Sequence, residues 1–136
     1  MITGLLISAA VAAAGPKNDP CKGSTTLDVN ACLAGELKSS NARLDKYLQV
    51  ALDRYGEDNE AAVRLGMHAS QQAFEAYRSI ECQTVYEDWK DGTIRGAMSL
   101  SCEIGLTDQR THDIWQHWLH YMDSTPPILP EPKPTK

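Results

Sequence analysis

No proline occurs between Pro20 and Pro126, the chain has a single phenylalanine, and within that proline-free stretch valine and isoleucine total only 8 against 20 alanines and leucines. Proline removes an N–H donor and clashes with the preceding turn, so its absence leaves the whole middle of the chain free to be helical. Strands favour the branched residues that are scarce here, and helices favour the alanine and leucine that are abundant. An excess of basic charge is also missing: 13 Lys and Arg stand against 18 Asp and Glu, a net charge of −5. That excludes the basic stripe of a nucleic-acid binder. There is no Gly-rich phosphate loop, no serine elbow, and no CxxC or CxxCH. Nothing in the sequence reads as a catalytic site, so the expectation is a protein that is not an enzyme and takes no cofactor.

Long apolar runs are missing as well. The longest, residues 2–14, reads ITGLLISAAVAAA without a charge. Thirteen residues fall short of the roughly 20 that span a bilayer, so no membrane span is expected. Ala12-Ala13-Ala14 suits a signal-peptidase site, and residues 1–14 read as a secretory signal peptide, although no Lys or Arg precedes the run. Cys21 follows Asn18-Asp19-Pro20 rather than a lipobox. At the other end, residues 124–136 hold five prolines. This segment is neither helix nor central strand; the expectation is an extended, polyproline-like, disordered tail that serves as a spacer or as the ligand of a groove.

The domain proper is expected over residues 21–123. Thr25-Thr26-Leu27-Asp28 offers a hydroxyl cap with an acid three positions on, so a first helix begins near Thr26. Leu33, Leu37, Leu44, Leu48, Ala51 and Tyr55 form its apolar stripe at the helical period. Gly56-Glu57-Asp58-Asn59 breaks it, and the next helix opens at about Glu60. A second helix follows to about Trp89, with Val63, Met67, Phe74, Cys82 and Val85 on its inner rows. The short connection makes the pair an antiparallel hairpin. Asp91-Gly92-Thr93 is the next turn, and a short third helix runs from Ile94 to Cys102. Gly105 interrupts, Thr107 caps, and a C-terminal helix presents Ile114, Trp115, Trp118, Leu119 and Met122 on one side. Asp113, His117 and His120 share its other side at i, i+4, i+7, and lacking a thiolate or second carboxylate they read as a solvated polar face, so no metal is expected. His68 and His112 are incidental. The fold class is all-α: a long antiparallel helical hairpin, a short third helix and a C-terminal helix, stapled by disulfides.

Cys21, Cys32, Cys82 and Cys102 make an even count in a chain with an export signal, so two disulfides are expected in a periplasmic or secreted protein. In a hairpin bent near position 57, residues whose numbers sum to 114 share one level. Cys32 with Cys82 meets that sum, and so does Glu36 with Arg78. This favours a Cys32–Cys82 bond, leaving Cys21 for Cys102, and an ion pair of Arg78 with Glu36. Folding the third helix back at Gly92 also brings Cys102 to the level of Cys82, so three connectivities remain open.

The order of features carries a resemblance. Cys21 and Cys32 precede Gln71-Gln72-Ala73-Phe74-Glu75-Ala76-Tyr77-Arg78-Ser79-Ile80-Glu81-Cys82, followed by Asp91-Gly92-Thr93, Cys102 and Leu106-Thr107-Asp108-Gln109-Arg110. Over residues 21 to about 119 this resembles the LprI-type lysozyme-inhibitor N-terminal domain, a family of small exported bacterial helical proteins. The family usually carries Trp where Phe74 stands and Gly-Gly where Asp91-Gly92 stands. Its Asp…Leu-Asn pattern is here Asn41…Leu44-Asp45. These swaps keep size and polarity, so the implied fold survives them, while no inhibitory residue carries over. Gln71, Phe74, Arg78, Thr107, Arg110 and Glu36 read as architectural, flanking the hairpin interface.

The resemblance implies an exported inhibitor or binder of lysozyme-type muramidases. An acidic domain would be steered toward basic lysozymes, and the acidic turns at Glu57-Asp58 and at Asp91-Gly92-Thr93 are the candidate contacts. The alternative from another class is an envelope adaptor with no inhibitory activity, for which the Pro-rich tail would be an accessory contact.

Overall fold

The computed structural model describes residues 21–23, 25–56 and 61–135. Among them are three α-helices and no strand: α1 (Thr26–Arg54), α2 (Ala61–Asp88) and α3 (Arg95–Ile114), the last running on into one π-helical turn at Trp115–Leu119. The all-α expectation holds. The apolar segment 1–14 and the carboxylates Glu57, Asp58 and Glu60 lie outside the described residues.

Helix α1 starts where local chemistry says it should. Thr25 is extended, its Oγ1 accepts the Asp28 N–H at 3.1 Å, and the same hydroxyl donates to the Asp28 carboxylate at 2.7 Å. One of the four orphan donors of the helix start is thereby satisfied. Asp28 in the first turn and Arg54 in the last also sit at the ends of the helix dipole that suit their charges.

The apolar core gathers at one end of the bundle. Leu44, Tyr47, Ala51 and Leu52 come from the second half of α1, Met67 from the first half of α2, and Ile114 and Leu119 from the end of α3 and its π turn. Trp115, Trp118, Phe74 and Leu129 pack around them. At the other end the buried residues are few, and two disulfides take the place of a core: Cys21–Cys32 and Cys82–Cys102, with Cα–Cα distances of 5.4 and 5.6 Å. A domain of this size buries a modest core, and covalent staples are the usual supplement.

The Arg78–Asn41 and Arg64–Tyr55 bonds show α1 and α2 antiparallel, and both helices pack chiefly onto α3. The α1–α2 register differs from the one expected. Arg78 donates to Asn41 Oδ1 at 2.8 Å, residue numbers that sum to 119, and Arg64 donates to the Tyr55 carbonyl at 3.0 Å and to the Leu52 carbonyl, sums of 119 and 116. At the level of Arg78 the offset from 114 is five residues, about 7.5 Å along a helix axis. Disulfide geometry does not span such a shift, so the favoured Cys32–Cys82 bond is overturned. Cys82 instead meets Cys102, the partner that folding back at Gly92 brings to its level. Cys21 closes locally onto the first turns of α1.

The same offset overturns the Arg78–Glu36 pair. The Arg78 guanidinium bonds Asn41 on α1 and Thr107 Oγ1 on α3, the latter at 2.6 Å. It is a three-helix clamp made with neutral acceptors.

The third and fourth expected helices are one. Gly105 stays helical, and Thr107 is fully buried rather than a cap; its hydroxyl donates to the Glu103 carbonyl at 2.6 Å while accepting from Arg78. Thr111 repeats the back-bond to the Thr107 carbonyl at 2.8 Å. A glycine inside a helix costs about 1 kcal/mol relative to alanine. Packing of α3 on two neighbours outweighs that. The π turn closes with the His120 N–H on the Trp115 carbonyl at 2.9 Å. It buries Leu119 completely and leaves Met122 fully exposed, whereas the expected stripe had placed Met122 inside.

The Pro-rich segment is extended, as expected, but it is not loose. It folds back along α3 and crosses α1. The Ile128 N–H bonds the Leu119 carbonyl at 2.9 Å, Trp115 Nε1 donates to the Leu129 carbonyl at 2.9 Å, and the Tyr47 hydroxyl donates to the Pro130 carbonyl at 2.7 Å. Farther along, Arg43 donates to the Lys133 carbonyl, and Thr135 reaches Asp108 through both its N–H and its hydroxyl. Prolines lack an N–H but keep their carbonyls, which is why groove donors and not a ladder hold this segment.

Three outcomes follow from this architecture. Non-reducing peptide mapping of the oxidised protein should give Cys21–Cys32 and Cys82–Cys102 peptides and none joining Cys32 to Cys82. Arg78→Ala should lower the unfolding free energy by about 2–3 kcal/mol in chemical denaturation, because two bonds from a charged donor are lost. Lys90→Ala, at an exposed position, should change it negligibly. Burial raises the Tyr47 pKa above its ordinary value of 10.0, opposed by the Arg43 charge. The neutral hydroxyl is the donor to Pro130, so its contribution is complete below that ordinary value and is lost as pH rises through the folded-state value. Thermal melts above pH ~10 should therefore show a destabilising step that is missing in Tyr47→Phe.

Candidate functional site

The residues singled out in the sequence separate into three places. Gln71, Phe74, Arg78, Thr107 and Arg110 come together where α2 faces α3. Arg110 Nε donates to Gln71 Oε1 at 3.3 Å and its Nη2 to Ser70 Oγ at 2.8 Å. The Arg78 and Arg110 guanidiniums flank the Phe74 ring at 5.4 and 5.8 Å from its centroid. Partial burial draws the Arg110 pKa below its ordinary value, with the nearby Asp113 charge acting the other way. Among the described residues, neither guanidinium has a carboxylate at ion-pair distance; their bonds go to amide and hydroxyl oxygens.

Glu36 is elsewhere. It lines an open groove of about 710 Å³ between α1, α3 and the end of the tail, together with Asp108, Gln109, His112, Asp113 and Thr135. Three carboxylates on one groove make it acidic. Arg43 answers one of them, meeting Asp108 at 3.4 Å. Glu36 also lies within 4.8 Å of the Cys21 and Cys32 sulfurs, and since these are joined to each other they offer no thiolate to a metal. Asp113, His117 and His120 do not converge on one point: His117 Nδ1 donates to the Asp113 carbonyl at 2.7 Å, while the His120 ring lies 5.0 Å from Trp115.

The third place is the corner between α2 and α3. The Gly92 N–H bonds the Trp89 carbonyl at 2.9 Å and closes the turn, with Asp91 and Thr93 exposed beside it. A Cβ on Gly92 would stand 3.4 Å from the Trp89 carbonyl oxygen, in van der Waals contact with the turn. Trp89 and Ile94 flank the turn with 38% and 43% of their surfaces exposed. Glu87 and Asp88 are exposed on the approaching turn of α2. Below the corner, the Cys82–Cys102 bond and the Ser99 hydroxyl, donating to the Cys82 carbonyl at 3.0 Å, hold the two helices together. The result is a braced, projecting tip that carries two large apolar side chains among exposed charges of both signs, Glu87, Asp88 and Asp91 with Lys90 and Arg95. The sequence pointed to Asp91, Gly92 and Thr93 but not to Trp89 or Ile94, which were read as the end of the second helix and the start of the third. Their place beside a Gly-Thr turn was the available signal.

None of the three places presents a nucleophile held by a base. The tip has the composition of a protein-contact surface, with an aromatic anchor, an aliphatic neighbour and charges around them. No helix among the described residues is long and apolar enough to cross a membrane. Residues 18–114 match the sequence model of the family described as Lysozyme inhibitor LprI. No curated protein and no solved structure matches the chain. The family match covers well over half of the sequence and takes in all four disulfide cysteines, the Gln71–Cys82 segment and the Leu106–Arg110 segment, so the chain belongs to the LprI lysozyme-inhibitor family.

Proposed function

We propose that this chain is a periplasmic or secreted protein that binds and inhibits a lysozyme-type muramidase, and that it does so through the tip between α2 and α3. The family gives the partner class. The observation that carries the surface is the exposed Trp89 and Ile94 pair framed by Glu87, Asp88 and Asp91 on a disulfide-braced corner. Two disulfides support an oxidising compartment.

The physical case has two parts. Tryptophan is over-represented among residues that dominate binding energy, and a braced turn loses little conformational entropy on docking. The net charge of −5 steers the domain toward a cationic partner from a distance. Turn residues project and are not committed to the bundle, whereas the inner helix faces are. Glu57 and Asp58, which lie outside the described residues, are the second candidate contact, on charge alone.

Inhibition of basic lysozymes of the chicken, goose and invertebrate types should be measured against cell-wall substrate at several salt concentrations. Inhibition should weaken as ionic strength rises past 0.1 M, where exposed charges more than about 10 Å apart are largely screened. Trp89→Ala should weaken binding by about tenfold or more, mainly through faster dissociation. Asp91→Lys combined with Glu87→Lys should slow association and leave dissociation nearly unchanged. Binding without inhibition would favour the envelope-adaptor reading, and no binding to any of the three types at low salt would remove the inhibitor reading.

A further inference from the structure

The docked tail has a recognition chemistry of its own, separate from the tip. Pro126, Pro127, Pro130, Pro132 and Pro134 fix their own φ near −65°, and each disfavours the helical conformation in the residue before it. The segment is therefore extended before it docks and loses little entropy when it does. The face beneath it supplies donors. Trp115 Nε1 meets the Leu129 carbonyl, the Tyr47 hydroxyl meets the Pro130 carbonyl, and Arg43 meets the Lys133 carbonyl. Leu129 packs against the core cluster and Pro132 is buried.

Indole and phenol donors aimed at successive carbonyls, beside an apolar slot, are the means by which proteins hold polyproline segments. Those three contacts read the backbone, so they are available to any segment of the same extended form. The tail enters this face from an exposed connection: Met122 and residues 123–127 are all solvent-facing, with one local bond from the Thr125 N–H to Asp123 Oδ1 at 2.8 Å.

We propose that the Arg43–Tyr47–Trp115 face is a polyproline-recognition groove, occupied in cis by the chain's own tail, that accepts an extended proline-rich segment of another polypeptide in its place. The segment it takes carries the pattern present in the tail: Pro-x-x-Pro, as in Pro127-Ile128-Leu129-Pro130, followed by prolines at alternate positions. An apolar residue at the place of Leu129 fills the slot. This proposal is independent of lysozyme binding, since the tip is at the other end of α3.

Exchange tests it. A protease-cleavable sequence is inserted between Met122 and Asp123 in the full chain, the purified protein is cleaved, and a fluorescent synthetic peptide of residues 123–136 is titrated in. Saturable binding that unlabelled peptide reverses, with helicity by circular dichroism unchanged, is the expected result. Tyr47→Phe and Trp115→Phe in the protein should each weaken the peptide by about fivefold, the worth of one net hydrogen bond. A peptide with Pro130, Pro132 and Pro134 replaced by alanine should bind more weakly still. A dimer of the uncleaved chain at high concentration, lost in Tyr47→Phe, would identify the second chain as another copy and would support the groove. Loss of helicity on tail release would overturn the proposal, because the tail would then be core. So would failure of the peptide to rebind a still-helical domain, or equal binding of the alanine peptide.

Discussion

One carboxylate ties α1, α3 and the end of the tail together at a single point. Asp108, midway along α3, accepts from the Ser40 hydroxyl of α1 at 2.6 Å, from Arg43 of α1 at 3.4 Å and from the Thr135 hydroxyl at 3.2 Å, and it receives the Thr135 N–H as well. Ser40 has no exposed surface. A half-buried carboxylate with this many donors keeps its charge solvated by the protein itself, and the donors come from two segments far apart in sequence, α1 and the tail. Removing it would leave the Ser40 hydroxyl buried and Arg43 without its acid, so the α1–α3 register and the end of the tail depend on the same two oxygens.

That polar seam divides two ends built on different physics. Below it, toward the π turn, leucine, isoleucine and aromatic side chains bury against one another and the structure is held by packing. Above it, toward the α2–α3 corner, most apolar side chains are only partly buried, the Cys82–Cys102 bond holds α2 to α3, and Cys21–Cys32 ties the entering chain to α1. The division frees the corner for another use. An end that relies on sulfur bonds can leave Trp89 and Ile94 on its surface, because they are not required inside.

The parts of this arrangement that were legible in the sequence are those fixed by neighbours along the chain. The Thr25–Asp28 cap, the start of α1, the end of α2 and the absence of strands follow from local residue chemistry, and the ordered cysteines with the Gln71–Cys82 and Leu106–Arg110 segments carried the family. Local propensity also misled. Gly105 and Thr107 look like a break and a cap, and only the two-sided packing of α3, with Arg78 arriving at the Thr107 hydroxyl, makes them helix interior. The disulfide partners went wrong through one assumption, that the α1–α2 bend is centred at 57, because a five-residue error in level exchanges every partner. Asp108 stood inside a segment already singled out and was not weighed, since its donors Ser40 and Thr135 lie 68 and 27 residues away. Proline content correctly excluded helix from the tail, but composition carries no information about the Tyr47 and Trp115 donors that hold it.

The placement of the two surfaces along α3 bears on whether they can influence each other. From Ile94 beside the tip to Asp108, where the tail ends, is fourteen residues, about 20 Å of helix axis. At physiological ionic strength the Debye length is about 8 Å, so the charged tip and the charges around the tail do not interact appreciably through solvent. Any coupling would have to pass through α3 itself. That helix is fixed at one end by the Cys82–Cys102 bond and at its middle by Arg78 and Asp108, contacts that oppose a shift of α3 along its neighbours. The two faces are therefore additive. A partner at the tip and a proline-rich segment in the groove would bind as independent events, and linking them on one partner would raise avidity without requiring any change of shape.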